Sequence, residues 1–139
     1  MRILIAEDEQ RTRQGLVRVL QSLRDEYEIV AQASNGKAAL EMILEQKPDV
    51  VFIDIKMPFM DGLELSRLVK KTLPRTRIIV LSGYNEFEYA KEAIKIGISD
   101  YLLKPVSSAG LIDALKKAAD EIREEREKSK LLERYFVSY

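Results

Sequence analysis

Residues 49–62 of the chain are DVVFIDIKMPFMDG. Four apolar residues at positions 50–53 lead directly to the carboxylate of Asp54, and an Asp-Gly pair at positions 61–62 then signals a turn. A short run rich in β-branched and aromatic residues indicates a fully buried strand. An acid at the end of such a strand needs partners, because a carboxylate removed from water is costly unless it is paired.

Similar apolar runs alternate with helical patterns along the rest of the chain. The predicted strands cover residues 3–6, 29–31, 50–53, 78–81 and 101–103. The predicted helices cover residues 10–23, 37–46, 63–72 and 86–96, and a last helix begins near Ser108. The fourth helix is expected to turn four residues toward the core, Phe87, Ala90, Ala93 and Ile94. This alternation predicts parallel βαβ units, and the nearly continuous apolar strands indicate a sheet covered by helices on both faces.

Composition restricts the chemistry that this chain can perform. It has 139 residues, enough for one domain, and its 23 basic and 23 acidic residues leave no net charge to attract nucleic acid or an anionic membrane. It contains neither histidine nor cysteine, which excludes imidazole and thiolate catalysis and the corresponding metal sites. Because no signal peptide or membrane-spanning pattern is present, we predict a cytoplasmic protein.

Functional side chains follow four of the five predicted strands, namely Glu7 and Asp8, Asp54, Ser82, and Lys104. In a parallel sheet these strand ends lie on one edge, where three carboxylates require compensating cations. Lys104 supplies one positive charge, and Mg²⁺, which prefers oxygen ligands, is the natural source of the rest. The set suggests phosphoryl chemistry, in which Asp54 is the nucleophile and forms an acyl phosphate. Lys104 and the metal would neutralise charge on the transferred group, and Ser82 would donate a hydrogen bond to it.

Taken in order, these motifs resemble the receiver domain of response regulators, the phospho-acceptor half of two-component signalling. The resemblance covers residues 2 to about 120 and rests on Glu7-Asp8, Asp54 within DIKMPFMDG, Ser82-Gly83, and Tyr101-Leu-Leu-Lys104-Pro105. It implies a doubly wound (βα)₅ flavodoxin-like fold, with a five-stranded parallel sheet in the order 2-1-3-4-5 and helices on both faces. Residues 82–97, SGYNEFEYAKEAIKIG, further resemble receivers coupled to AraC-type output modules.

The resemblance also implies a role for each acid. Asp54 would be the phosphorylated residue and a ligand of Mg²⁺. Asp8 and the backbone carbonyl of Lys56 would complete the protein ligands, and Glu7 would act on the metal through a water.

The remaining roles implied by the resemblance concern the switch. Lys104 would contact the phosphoryl group, with its bond to Pro105 in the cis form. Ser82 would swing toward the phosphate, and Tyr101 would be the aromatic residue that turns inward on activation. We further hypothesise that Lys56 and Tyr84 set the lifetime of the acyl phosphate, with the bulky Tyr84 shielding it from water.

Other interpretations of the same residues stay open at this point. Glu7 and Asp8 could cap the first helix. The chain could be a Mg²⁺-dependent phosphohydrolase with an aspartyl-phosphate intermediate, or a receiver-like interaction module that is not phosphorylated. On the favoured interpretation it is not an enzyme beyond self-catalysed transfer to Asp54 and slow autodephosphorylation.

The last part of the chain differs in composition from the rest. We predict a receiver domain at residues 1–122 and a charged helical extension or linker at residues 123–139, leading to an output domain that is DNA-binding in most of this family. The expected partners are a sensor histidine kinase and a second copy, docked through the fourth helix, fifth strand and fifth helix or through the C-terminal helix. We expect no membrane contact and no direct binding of nucleic acid, with the basic residues between positions 67 and 77 forming a solvated face.

Overall fold

The computed structural model describes residues 1–83 and 87–137 as alternating strands and helices. The strands are β1 (Arg2–Ala6), β2 (Glu28–Ala33), β3 (Val50–Asp54), β4 (Arg77–Ser82) and β5 (Asp100–Leu103). The helices are α1 (Gln10–Ser22), α2 (Gly36–Gln46), α3 (Gly62–Thr72), α4 (Phe87–Ile96) and α5 (Ser108–Val137). All strand pairs are parallel and the sheet order is β2-β1-β3-β4-β5, which confirms the predicted doubly wound fold.

The strands divide their side chains between two cores, one on each face of the sheet. In β1, Ile3 and Ile5 pack with α1 and α5, whereas Leu4 and Ala6 pack with α2 and α3. The central strand β3 is buried along its whole length. Burial on both faces is the reason why its sequence is continuously apolar up to Asp54.

The prediction for the core-facing side of α4 is wrong for two of its four residues. Ala90 and Ala93 are buried, but Phe87 and Ile94 are 65% and 57% exposed. The buried residues of α4 are the small Ala90 and Ala93, and the larger Phe87 and Ile94 lie outside the strip that these alanines form.

Helix α5 continues without a break through the charged segment 123–130 to Val137. On this side of the sheet, Arg77 of β4 lies 3.8 Å from a carboxylate oxygen of Glu121 and also pairs with Glu125. The prediction that Arg77 lies on a solvated face is therefore wrong, because these partners leave its side chain only 17% exposed. Neither α5 nor any other helix in the described part of the chain is apolar over a length that would cross a membrane.

Candidate functional site

Strand register brings the functional side chains together at the carboxyl edge of the sheet. β1 and β3 are paired in register up to Ala6 and Ile53, and the next residues along the two segments are Glu7 and Asp54. β4 remains paired with β3 through Asp54, so Ser82 follows at the same edge. The backbone N–H of Lys104 donates to the carbonyl oxygen of Ser82 at 2.8 Å and aligns the end of β5 with this group.

Three carboxylates and one ammonium group form the centre of the site. Glu7 and Asp54 are 0% and 2% exposed, Asp8 is exposed, and their carboxylate oxygens lie within 4.8 Å of one another. The Nζ of Lys104 lies 2.7 Å from Glu7 Oε1 and 3.0 Å from Asp54 Oδ1. The other carboxylate oxygen of Glu7 is buried and has no hydrogen-bond partner among the described residues. One ammonium group therefore faces three acids.

This crowding changes the protonation of the site. Burial raises the pKa of Asp54 from its ordinary value of 3.8 to about 7, and the adjacent Glu7 carboxyl adds to the rise. Burial and the Asp54 carboxyl also raise the pKa of Asp8. Burial by itself would lower the pKa of Lys104, but the facing carboxylates of Glu7 and Asp54 raise it above its ordinary value. The lysine therefore stays charged, while the acids are incompletely neutralised.

The donor set fits a hard divalent cation. Carboxylate oxygens are the ligands that Mg²⁺ prefers, and a bound cation would relieve the repulsion among Glu7, Asp8 and Asp54. The alternative in which Glu7 or Asp8 caps α1 is wrong, since the N-cap residue of that helix is Glu9, and its side chain makes no capping hydrogen bond.

The turn after Asp54 is packed tightly against it. The N–H of Gly62 donates to the carbonyl oxygen of Ile55 at 2.6 Å, and a Cβ added to Gly62 would lie 2.1 Å from the carbonyl oxygen of Asp54. Glycine is required here because of this close approach, which the sequence marked only as a turn. Lys56 lies in the same turn, and its Nζ is 5.7 Å from the ring centroid of Tyr89 on α4.

A small cavity connects the end of β4 with β5. It has a volume of about 210 Å³ and is lined by Ser82, Phe87, Ala90, Tyr101 and Leu103. The Oγ of Ser82 is buried without a hydrogen-bond partner in residues 1–83 and 87–137, and Tyr101 is 37% exposed. The Lys104–Pro105 peptide bond is cis, which confirms that prediction. Tyr84, the predicted shield of the acyl phosphate, lies outside the described residues.

One residue that contacts the acidic cluster was not identified from the sequence. The Nη1 of Arg13, on α1, donates a hydrogen bond of 2.7 Å to the backbone carbonyl oxygen of Glu7. No motif marks it, because an arginine in the second turn of a helix is ordinarily a surface residue.

Comparison with known proteins agrees with this geometry. The sequence profile of the response regulator receiver domain family matches residues 3–116. The chain is similar to the uncharacterized transcriptional regulatory protein YesN of Bacillus subtilis, at 40% identity over 122 residues, which are 88% of this chain and 33% of YesN. It spans 52% and 50% of the length of two further curated relatives.

Solved structures give the same result. The receiver domain of AraT, a response regulator from Geobacillus stearothermophilus, is 39% identical with a TM-score of 0.84, over 90% of this chain and 97% of that one. A DNA-binding response regulator of the LuxR family from Staphylococcus aureus is 32% identical with a TM-score of 0.77, over 84% and 97% of the two chains. These findings give no support to the expected AraC-type output subfamily.

Proposed function

Because this chain belongs to the response regulator receiver domain family, we propose that it is a phosphorylation-controlled switch in which Asp54 receives a phosphoryl group from a sensor histidine kinase. One observation carries the proposal. The carboxylate of Asp54 is buried beside two other acids and lies 3.0 Å from the ammonium of Lys104. An acid placed this way is poorly neutralised by Lys104 alone, and a divalent cation bound by the acids would act with Lys104 to stabilise the charge of a phosphoryl group.

The transfer itself needs only a nucleophile and charge stabilisation. An oxygen of the Asp54 carboxylate attacks the phosphorus of phosphohistidine, and the new P–O bond forms as the P–N bond breaks. The electron pair of that bond leaves with the imidazole nitrogen, which takes a proton from solvent. The form of Asp54 that reacts is the ionised carboxylate, which carries no proton, so no general base is needed, and the positive charge of Lys104 lies 3.0 Å from Asp54 Oδ1.

Three groups would bind Mg²⁺ directly, namely the carboxylates of Asp8 and Asp54 and the backbone carbonyl of Lys56. Glu7 would contact the metal through a water. When bound, Mg²⁺ supplies electrostatic stabilisation of the charge on the transferred phosphoryl group. Lys104 would contribute the remaining positive charge. Its ion pairs with Glu7 and Asp54 preset its position.

Phosphorylation adds negative charge that must find new hydrogen-bond donors. Ser82 supplies one, since its buried hydroxyl has no partner among the described residues and lies at the same sheet edge. Movement of Ser82 toward the phosphate lets the half-exposed Tyr101 enter the cavity that both residues line. The surface formed by α4, β5 and α5 changes as a result. The added charge of the phosphoryl group thereby shifts the equilibrium between two conformations of this surface.

That surface, or the C-terminal part of α5, would pair with a second copy of the chain. Residues 1–122 act as the receiver domain, and residues 123–139 extend it toward a DNA-binding output domain. The extension is helical as far as Val137, and it ends in four exposed apolar residues, Leu131, Leu132, Tyr135 and Phe136. The chain covers 33% and 52% of the length of two curated relatives, so each of those relatives has room for such a domain.

The test is modification by acetyl phosphate, followed by intact-protein mass spectrometry with Mg²⁺ or with a chelator. We expect one phosphoryl group per chain with Mg²⁺ and none with the chelator. Turnover of a phosphate ester in large excess over the protein would favour the phosphohydrolase instead. A chain that stays unmodified, and whose spectra do not respond to beryllofluoride, would favour the interaction module.

A further inference from the structure

We propose that Arg13 is a positioning residue for the metal-binding acids, an inference that rests on the proposed function. Its Nη1 donates a hydrogen bond of 2.7 Å to the carbonyl oxygen of Glu7. This carbonyl belongs to the peptide bond that joins Glu7 to Asp8. Its orientation therefore sets the direction in which the Asp8 side chain leaves the backbone.

The connection that carries Asp8 is held at Glu7 by two hydrogen bonds to the Glu7 backbone. β1 ends before Glu7 and α1 begins after Glu9, so Asp8 lies outside both elements. The N–H of Glu7 donates to the carbonyl oxygen of Ala33 at 3.0 Å, which ties the start of the connection to β2. The hydrogen bond from Arg13 holds the carbonyl group of Glu7, which is the end of this residue that is joined to Asp8.

The helix that carries Arg13 is firmly packed. Its helix is anchored by the buried side chains of Leu16 and Leu20, and its own N–H donates to the carbonyl oxygen of Glu9 at 3.0 Å. The guanidinium of Arg13 thus holds the connection between β1 and α1, which carries Asp8, in a fixed position relative to α1. Such support of a metal ligand through a neighbouring hydrogen bond is a common determinant of metal affinity.

Charge and positioning act in opposite directions here, which makes the role testable. The positive charge of Arg13 repels a divalent cation, so its removal by itself would strengthen Mg²⁺ binding. Loss of the hydrogen bond to Glu7 would instead weaken binding, because the Asp8 carboxylate would no longer be held in place. The sign of the change in affinity separates the two effects.

The experiment titrates chelator-treated protein with magnesium chloride by calorimetry and follows the amide NMR signals of residues 7 and 8. Arg13→Met removes both charge and donor, whereas Arg13→Lys keeps both. Arg18→Met is the matched control, since Arg18 is exposed on the same helix and its side chain makes no hydrogen bond or ion pair with another described residue. We expect about tenfold weaker binding for Arg13→Met, a loss below about threefold for Arg13→Lys, and no change for Arg18→Met.

Two results must be kept apart. If the wild-type chain binds Mg²⁺ and Arg13→Met binds it equally or more tightly, the positioning role is overturned and the proposed function stands. If the wild-type chain binds no Mg²⁺, the proposed function fails and this inference fails with it. Thermal melting in chelator checks that Arg13→Met folds, and Arg13→Leu, which also lacks both the charge and the donor, serves for the same comparison if it does not.

Discussion

Replacement of Asp54 by asparagine is expected to stabilise the metal-free chain at neutral pH. Asp54 is 2% exposed, and burial together with the Glu7 carboxyl raises its pKa from 3.8 to about 7. Ionisation of this group is therefore costly in the folded chain, and asparagine keeps its shape while removing the charge. Lys104 retains a partner in the variant, because its Nζ also lies 2.7 Å from Glu7 Oε1.

The magnitude follows from the pKa shift. Between the unfolded pKa of 3.8 and the folded pKa of about 7, the folded chain keeps a proton on Asp54 that the unfolded chain releases. The free energy of unfolding therefore falls as the pH rises through this window. A shift of this size corresponds to about 4 kcal/mol once the pH exceeds 7. Below the unfolded pKa both states are protonated, and this contribution to the difference between variant and wild type vanishes.

Urea unfolding in the presence of a chelator, at about pH 4 and about pH 8, measures this difference. Asp54→Asn should be the more stable chain at the higher pH and should lose that advantage at the lower one. The exposed Asp25 provides a matched control, and Asp25→Asn should behave as wild type. Mg²⁺ should narrow the gap, because it binds the folded wild-type chain more tightly than the variant. Equal free energies of unfolding at about pH 8 would refute the conclusion that Asp54 is a poorly compensated buried acid.

Four further predictions test separate parts of the chain. Lys104→Met should slow phosphoryl transfer from acetyl phosphate about 10²-fold while calorimetry still detects Mg²⁺ binding, and an unchanged rate would contradict its role. Gly62→Ala should lower the free energy of unfolding by about 1–3 kcal/mol, because its Cβ would meet the Asp54 carbonyl oxygen. Gly15→Ala, in the open middle of α1, should raise the free energy of unfolding by about 0.5–1 kcal/mol. Tyr84→Ala should shorten the half-life of the phosphorylated chain, and an unchanged half-life would remove Tyr84 from the account.

The sheet and the edge that carries the acids could be predicted because they depend on sequence patterns within short segments of the chain. The apolar run before Asp54 and the alternation of strands and helices fix a parallel sheet, and in such a sheet the ends of the strands meet at one edge. The residues after each strand, from Glu7 to Lys104, could therefore be placed together before any distance was known.

The parts that sequence did not predict depend on packing between distant segments. Phe87 and Ile94 have helical spacing like that of Ala90, but only contact with the sheet decides which residues are covered. The burial of Arg77 requires Glu121 and Glu125, which lie more than forty positions away along the chain. The hydrogen bond from Arg13 could not be predicted, because its acceptor is a backbone carbonyl oxygen, which every residue type has.

The central claim is that Asp54 is the phosphoryl acceptor. Its most direct test is the mass of the wild-type chain and of Asp54→Ala after treatment with acetyl phosphate and Mg²⁺ under identical conditions. We expect a mass increase of one phosphoryl group for the wild type and none for Asp54→Ala, with both chains folded. Modification of Asp54→Ala at the wild-type rate would contradict it.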